Sequence, residues 1–346
     1  MTKYISQKFK LLSFISIVFV IFIHAYYLEG VQWPVSSFIQ SFGGCFSGFA
    51  VPLFFIISGY LFFYNIEDDV WRAVLKRKLL SRVKSLLLPF IYWSLFFCGF
   101  ILLCEIIPFT AQFINGGFSE QIRQGYYGKL ICEFFTKPLA FHLWFLRDLI
   151  VLVILSPAIY ALLRFCKGHY GILLLGIIVV NVVLSISVNH FASFFWFSLG
   201  GYLGYNKYPI EYKGLTKYAI IILLMYIVLV ILRVESILPK NVSILINIIG
   251  VLSIWGLYDY VCRGRVLPDD KLLCKCSSYT FFIYCFHEPT LNIFKKLLIR
   301  TIGLSQISLI ISYFLSVILM LIFALWVGWL LKRKMPRLYL ALSGGR

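Results

Sequence analysis

The run from Lys10 to Tyr27 contains the first side chain that could do chemistry, His24. The run is apolar, has the length of a helix, and carries this imidazole in its last third. An imidazole within a membrane span is costly, so it usually faces a bundle interior or a wet cavity. There a neutral ring could act as a general base on a hydroxyl group. The alternative is a structural histidine, hydrogen-bonded within the bundle, and the residues alone weigh both interpretations equally.

A second polar group opens the fourth predicted span and comprises His142, Trp144, Arg147 and Asp148. Arg147 could bind an oxyanion, and Asp148 could orient a histidine. Because these two residues are adjacent, their side chains would point about 100° apart on a helix and need not pair. The alternative is an interfacial anchor, with Trp144 in an aromatic belt and Arg147 reaching the polar boundary. That alternative is favoured for His142, but not for Arg147 with Asp148.

His287, Glu288 and Pro289 form a third candidate group within a late apolar segment. Pro289 has no N–H for the carbonyl of Cys285, so the sequence predicts a helix interruption at membrane depth. Ionisable residues beside such a break are typical of a functional site. We favour that interpretation over a simple kink with Glu288 facing a cavity.

The basic segment from Arg72 to Lys84 could bind the phosphates of a nucleotide-like donor. Positive charge of this kind more often marks the cytoplasmic side of a membrane and touches anionic lipid. The second interpretation is favoured for most of the segment, but not for Arg82, which lies where a span begins. In the preceding span, Ser58 and Gly59 predict a close contact between helices.

The elements that must position these residues are membrane spans. Of the 346 residues, 61% are hydrophobic and 13% are charged, and the mean hydropathy is +0.91. Repeated apolar runs of about 20 residues predict an all-α, polytopic integral membrane helical bundle, with a single domain over residues 1–346. Ten spans are predicted, at residues 11–28, 45–64, 85–107, 141–163, 171–189, 190–205, 218–236, 241–260, 278–298 and 307–331.

The net charge of +18 comes from 32 Lys and Arg residues against 14 Asp and Glu residues. Most of the basic residues cluster in the N-terminal tail, with Lys3, Lys8 and Lys10, in alternate loops and in the C-terminal tail. This distribution predicts that both termini are cytoplasmic. This placement argues against nucleic acid as a partner. The opposite side has one sizeable loop, from Pro108 to Ala140, with the character of a lid or docking surface. Glu105, just before it, is expected to reach water.

The nine cysteines lie mostly in apolar runs, where Cys is usually a small hydrophobic residue. Cys274 and Cys276 have no partner pair at metal-ligand spacing, so we expect no metal and no permanently bound cofactor. The sequence has no Walker A loop, no dinucleotide-binding glycine fingerprint and no H-E-x-x-H motif. ATPase, nicotinamide-dependent and zinc-protease functions are therefore unsupported.

Five segments, taken in order, resemble the acyltransferase-3 family of bacterial membrane proteins. They are VFVIFIHAY, VPLFFIISGYLFF, SRVKSLLLPFIYWS, HLWFLRDLIVLVILSP and SSYTFFIYCFHEP, the last being the least constrained in the family. The predicted number of spans is also similar. The resemblance implies transfer of an acyl group, commonly acetyl, from cytoplasmic acyl-CoA to a hydroxyl group. The acceptor it implies is an envelope glycan or its lipid-linked precursor.

The resemblance also implies roles for particular residues. The family's functional histidine late in the first span corresponds to His24, and an arginine before the third span corresponds to Arg82. The family's Trp-Phe-Leu segment corresponds to Trp144 and the two residues after it, with Arg147 and Asp148 following.

The chain departs from the family near the start of the first span. Many members have an arginine eleven residues before the histidine, and that position here is Ser13. Lys10 could replace this arginine, although an ammonium group lacks the bidentate geometry of a guanidinium group.

We therefore predict a multi-pass O-acyltransferase of the bacterial inner membrane, of the class that transfers groups other than amino-acyl groups, with acetyl as the favoured group. Acyl-CoA is the expected donor substrate, and an envelope glycan or lipid-linked saccharide the expected acceptor, with membrane lipid as surroundings. The assigned residues are catalytic His24, Arg147, Asp148, His287 and Glu288; donor-binding Arg82, Arg77 and Lys10; and substrate-binding His142 and Trp144.

In this hypothesis His24 is the general base, and Arg147 stabilises the oxyanion, with a contribution from His287. Asp148 or Glu288 orients a histidine. The imidazole and the guanidinium group must then share one water-accessible cavity. Direct transfer and a covalent intermediate both stay open, as do a homo-oligomer and partners in glycan synthesis.

Two other functions stay open. A transporter or flippase for a polysaccharide or small acid would use the same intramembrane residues as a proton relay. A scaffold subunit of a glycan-synthesis complex would need these residues only for packing.

Overall fold

A computed structural model describes residues 1–26, 33–107, 110, 117–166, 169–183, 189–208 and 213–345. Regular structure in these residues is helical, which confirms the predicted all-α class. The α-helices are α1 Lys3–His24, α2 Pro34–Phe46, α3 Ala50–Phe63, α4 Trp71–Arg82, α5 Leu88–Ile106, α6 Phe118–Arg123, α7 Tyr127–Thr136, α8 Trp144–Ile154, α9 Ser156–Cys166, α10 Tyr170–Val183, α11 Asn189–Tyr205, α12 Lys213–Val234, α13 Ser243–Cys262, α14 Leu272–Ser277, α15 Thr280–Ile302, α16 Gln306–Lys334 and α17 Pro336–Ser343.

Six helical segments of the described part are long and apolar enough to cross a membrane. They are Lys3–His24, Pro34–Phe63, Trp71–Ile106, Thr216–Val234, Lys240–Cys262 and Gln306–Lys334. A bent pair, Phe141–Ile154 with Ser156–Cys166, turns by 60° and makes a seventh if it is one span. The chain is thus a polytopic membrane protein. The count of ten spans and the cytoplasmic termini stay predictions.

The chain divides into two compact units, each assembled from separate stretches of sequence. The first comprises Met1–Arg72 and Ser156–Gly328, and the second comprises Ala73–Leu155 and Trp329–Arg346. The single domain expected over residues 1–346 stays a prediction.

In the first unit, α1 packs against α2, α3, α14 and α15. Its 22 residues extend over about 33 Å, at 1.5 Å per residue, which suffices for the roughly 30 Å hydrocarbon core of a bilayer. The hydroxyl of Thr2 caps its first turn, accepting from the Ile5 N–H at 3.3 Å, and His24 is its last residue. His24 therefore lies at the C-terminal end of a helix that is long enough to span the membrane.

Glycines allow α3 and α11 to pack backbone against backbone. A Cβ atom on Gly204 would lie 2.5 Å from the carbonyl oxygen of Tyr60, and one on Gly59 would meet the carbonyl of Phe197. Small residues permit this approach between membrane helices. The close contact predicted at Ser58 and Gly59 is confirmed.

In the second unit, α4 continues into α5 through one wide π-type turn, Val83–Leu87, directly after Arg82. Such turns inside helices are frequent at functional sites. At the far end of α5, the Glu105 carboxylate accepts from the backbone N–H groups of Gly117, Phe118 and Ser119, at 3.1, 3.1 and 2.7 Å. Glu105, which was expected to reach water, is half-buried, and its carboxylate also caps the start of α6.

The segment predicted as an exterior loop contains two helices within its described part, α6 and α7. The rings of Phe134 and Phe135 in α7 lie 6.1 and 6.4 Å from the ring of Phe90, near the start of α5. Since α6 is tied to the other end of α5, this segment runs back along the length of that helix. Residues 108, 109 and 111–116 lie outside the described part.

Candidate active site

The first unit brings two of the predicted catalytic histidines together. His24 at the end of α1 and His287 in α15 have ring centroids 5.2 Å apart, with ring planes inclined by 40°. The two residues are 263 positions apart in sequence. Helix packing therefore brings together two imidazoles from two separate helices, α1 and α15.

The hydrogen bonding of His287 determines which ring nitrogen could accept a proton. Its Nδ1 lies 2.6 Å from the carbonyl oxygen of Tyr284, and its side chain is 0% exposed. A carbonyl oxygen can only accept, so Nδ1 carries the hydrogen and donates. In the neutral ring, Nε2 is then the nitrogen with the lone pair.

The backbone of α15 is interrupted directly after His287, as the sequence predicted. Glu288 has φ −108° and ψ 138°, which are extended rather than helical values, and Pro289 follows it. The Glu288 side chain is 3% exposed, and its Oε2 accepts from Asn292 Nδ2 at 2.6 Å. The interruption thus falls at a residue with a buried carboxyl group, directly after His287 in the chain.

Lys295 is a further polar residue of this group that the sequence analysis missed. Its ammonium group, on a residue only 6% exposed, donates to the carbonyl oxygens of His24 at 2.9 Å and Tyr26 at 3.3 Å. Carbonyl groups at a helix C-terminus lack intrahelical partners and carry partial negative charge, which a cation satisfies. The spacing of Glu288, Asn292 and Lys295, at i, i+4 and i+7, could have indicated one polar helix face.

The second unit holds Arg147 and Asp148, which pair with each other. Nε and one terminal nitrogen of Arg147 donate to Asp148 Oδ1 at 3.0 and 2.7 Å, and the other terminal nitrogen donates to the carbonyl of Thr136. Both side chains are partly buried. The sequence left this pairing open, and the structure shows a guanidinium group held in a defined orientation.

His142 and Trp144 lie just before Arg147, in the second unit. His142 is buried, with its ring 6.0 Å from that of Phe97 and 5.9 Å from that of Phe141. Trp144 is half-buried and packs edge-on against Phe145 at 6.5 Å. His142 therefore lies in an aromatic cluster, and its role in binding an acceptor stays a prediction.

The predicted donor-binding residues differ in exposure. Arg82 is half-buried and lines a cavity of about 210 Å³ with apolar residues of α4 and α8, whereas Arg77 is exposed. Lys10, in the first unit, is exposed as well. The structure thus leaves Arg77 and Lys10 accessible to a charged ligand, and their role stays a prediction.

Lys8 was assigned by sequence to the positively charged tail, and that assignment was wrong. Its residue is 0% exposed, and its ammonium group lies 2.6 Å from Asp259 Oδ2 and 4.4 Å from the centre of the Trp255 ring. The hydroxyl of Tyr4 donates to the other carboxylate oxygen at 2.6 Å. Because α1 begins at Lys3, Lys8 falls inside the helix, where this pairing ties α1 to α13.

The structure therefore assembles His24, His287 and Glu288 in the first unit. The other predicted catalytic residues, Arg147 and Asp148, are together in the second unit. The predicted meeting of His24 with Arg147 stays a prediction.

Comparison with known proteins identifies the family. A family model described as an acyltransferase domain, that of acyltransferase-3 proteins, matches residues 8–333. The chain is also similar to the succinoglycan biosynthesis protein ExoH of Rhizobium meliloti (strain 1021), with 24% identity over 366 residues that cover 99% of this chain and 93% of the relative. No solved structure matches the chain significantly. With its apolar spanning helices and the matched region covering most of its length, this chain belongs to the acyltransferase-3 family and is a multi-pass membrane acyltransferase.

Proposed function

We propose that this acyltransferase moves an acyl group, with acetyl favoured, from cytoplasmic acyl-CoA to a hydroxyl group of a cell-surface glycan or its lipid-linked precursor. The family match supports acyl transfer, and the relative named for succinoglycan biosynthesis supports a saccharide acceptor. The enzyme is proposed to act in the bacterial inner membrane. The observation that carries the chemistry is the pair of imidazoles, His24 and His287, with ring centroids 5.2 Å apart.

In the proposed reaction, His24 removes the proton from the acceptor hydroxyl as its oxygen attacks the thioester carbonyl carbon. The carbon–sulfur bond then breaks, and the CoA sulfur leaves and takes up the proton from the imidazolium. A positioned base contributes about 10²–10⁴-fold to such a step. His287 donates from Nδ1 to the Tyr284 carbonyl, so its neutral ring keeps a lone pair on Nε2. It can accept a hydrogen bond or a proton there but cannot donate to the oxyanion, so the contribution to the oxyanion expected of His287 is not part of this proposal.

The remaining assignments are part of the same proposal. Arg147, oriented by Asp148, stabilises the negative oxygen of the tetrahedral intermediate, as a guanidinium group can through paired N–H donors. Glu288 orients a histidine. Arg82, Arg77 and Lys10 bind the phosphates of the donor, and His142 and Trp144 contact the acceptor.

Donor dependence tests the proposal most simply. Purified protein in lipid nanodiscs is supplied with radiolabelled acetyl-CoA or succinyl-CoA, together with a lipid and glycan extract of the host cells. We expect label in a saccharide product only when a labelled thioester and the protein are both present. Equal recovery of the product without protein, or no labelled saccharide with any donor, contradicts the proposal.

A carrier function is the second candidate, because Glu288 and Lys295 are both buried within a helix of the bundle. Intramembrane residues of this kind also form proton relays in transporters. In sealed vesicles, a carrier moves the saccharide across the membrane without acyl-CoA. An enzyme modifies the saccharide only when acyl-CoA is added, so the same labelled acceptor distinguishes the two functions.

A further inference from the structure

Asn292 is a polar residue of α15 that has no role in the reaction described so far. Its side-chain amide donates from Nδ2 to Glu288 Oε2 at 2.6 Å. Asn292 is half-buried and Glu288 is 3% exposed, so the hydrogen bond lies largely out of water. Because a buried acceptor loses free energy when its donor is removed, such a bond fixes the orientation of the carboxyl group.

The second oxygen of the same carboxyl group, Oε1, is buried and has no hydrogen-bond partner among the residues that the structure describes. Buried polar atoms are normally hydrogen-bonded, so this oxygen indicates a donor that arrives during function. The amide of Asn292 engages Oε2 and thereby leaves Oε1 as the acceptor for that donor.

The backbone interruption brings the two side chains together. Glu288 has extended backbone angles, and the helix resumes after it with Pro289. Glu288 thus takes the place of a capping residue, whose side chain turns back over the first turn of the helix that follows. Asn292 lies at the end of that turn, four residues after Glu288, and meets the carboxyl group there.

The face of α15 that carries these residues lies against the end of α1. Lys295, about one turn after Asn292, donates to the carbonyl oxygen of His24 at 2.9 Å. Glu288, Asn292 and Lys295 are spaced i, i+4 and i+7, which places them on one side of the helix. A carboxylate on this side can orient His24 rather than neutral His287, because the N–H of the His287 ring is already donated to a backbone carbonyl.

We propose that Asn292 is a positioning residue for acyl transfer, which holds the Glu288 carboxyl group so that Oε1 accepts the ring N–H of His24. The other ring nitrogen of His24 then takes the proton from the acceptor hydroxyl. A neutral amide suits this task, because it orients the carboxyl group without neutralising its charge. This role rests on the proposed function, in which His24 is the base and Glu288 orients a histidine.

Steady-state kinetics of full-length variants in lipid nanodiscs test this role, with acetyl-CoA or succinyl-CoA as donor and a glycan extract of the host cells as acceptor. We expect Asn292→Ala to lower the turnover number about tenfold and to leave the KM for the donor unchanged, because a displaced catalytic group slows the chemical step. Asn292→Gln keeps an amide donor and recovers part of the rate. Thr290→Val is the matched control and should equal wild type, because the Thr290 hydroxyl donates only to the Phe286 carbonyl of the same helix, at 3.2 Å.

Exchange of the two side chains separates a positioning role from a purely structural one. In the double variant Glu288→Gln with Asn292→Asp, the amide and the carboxylate change places, so the hydrogen bond is kept while the carboxyl group moves. We expect this variant to unfold at the wild-type temperature and to be as slow as Glu288→Gln alone. Asn292→Ala should cause no further loss in a Glu288→Gln background, because the two residues act as one unit.

Wild-type turnover in Asn292→Ala or in Glu288→Gln overturns the role of Asn292. Recovery of the full rate in the exchanged double variant also overturns it, because the hydrogen bond alone is then sufficient. An equal loss of rate in Thr290→Val is the third contrary result, since any change in that turn would then act alike. These three results leave acyl transfer itself standing, whereas a wild-type protein that transfers no acyl group from either donor overturns the proposed function and this role together.

Discussion

At the scale of single residues, His287 is held by one hydrogen bond that leaves a defined nitrogen for chemistry. Nδ1 donates to the Tyr284 carbonyl and Nε2 is the acceptor of the neutral ring. The roles of the two nitrogens can therefore be tested separately by substitution. An asparagine amide can replace the Nδ1 donor, and a glutamine amide reaches the position of Nε2.

His287→Asn is expected to preserve the fold and lose function. The asparagine N–H replaces the donor to Tyr284, so thermal stability in detergent changes by less than about 1 kcal/mol. The acceptor nitrogen is lost, so acyl transfer is expected to fall about 10²-fold. Initial rates and unfolding midpoints of the same preparations give both values. Full activity in His287→Asn removes His287 from the reaction and leaves it a structural role.

At the scale of the helices, α15 is attached to the C-terminal end of α1. Lys295 supplies a buried cation to two carbonyl groups at the C-terminus of the helix that carries His24. It lies seven residues after Glu288 on the same side of α15, and so connects the interrupted helix α15 to the end of α1. We expect the separation of the two histidine rings to depend on this attachment.

Lys295→Met is therefore expected to reduce the turnover number more than it changes the KM for acyl-CoA. The variant leaves carbonyl groups without their charged donor, at a cost of about 1.5–3 kcal/mol in stability. Lys295→Arg retains a cation and restores part of the activity. Lys296→Met is the matched control, since Lys296 is the next residue and is exposed. Identical rates for the Met and Arg variants at position 295 contradict a role for the charge.

The contact between α3 and α11 makes a separate prediction. A methyl group at Gly204 would lie 2.5 Å from the Tyr60 carbonyl oxygen, so Gly204→Ala forces the helices apart. We expect a loss of about 1–3 kcal/mol in stability, as for other overpacked sites. Gly176→Ala, where a Cβ meets open space in α10, is expected to be neutral or slightly stabilising. Unfolding midpoints in detergent decide this, and equal effects of the two changes contradict the packing.

At the scale of the whole molecule, the distribution of basic residues predicts that both termini are cytoplasmic. Green fluorescent protein fused after residue 346 should fluoresce, and alkaline phosphatase at the same site should be inactive. The reverse result contradicts the predicted orientation and, with it, access of cytoplasmic acyl-CoA to the inner ends of the spans.

Local patterns in the sequence predicted the features that depend on local chemistry. Apolar runs indicated the spans, Pro289 indicated the interruption of α15, and Gly59 indicated a close helix contact. Each of these follows from a backbone or hydropathy property of a few neighbouring residues. The order of short segments was enough to indicate the family.

The pairs formed across the bundle could not be predicted in this way. Lys8 meets Asp259 across 251 positions, and Lys295 meets the end of α1 across 271 positions for the His24 carbonyl. Such pairs depend on which helix faces which, and hydropathy carries no information on that. Lys8 looked like part of a charged tail because its carboxylate partner lies in a different span.

The central claim is that His24 is the base for acyl transfer from CoA. The most direct test is the initial rate of acetyl transfer by purified His24→Ala, compared with His169→Ala, which removes an exposed imidazole elsewhere in the first unit. At matched protein and saturating donor, we expect His24→Ala to be about 10²–10⁴-fold slower than wild type and His169→Ala to equal it. A His24→Ala enzyme that folds and transfers acetyl at the wild-type rate would contradict the account.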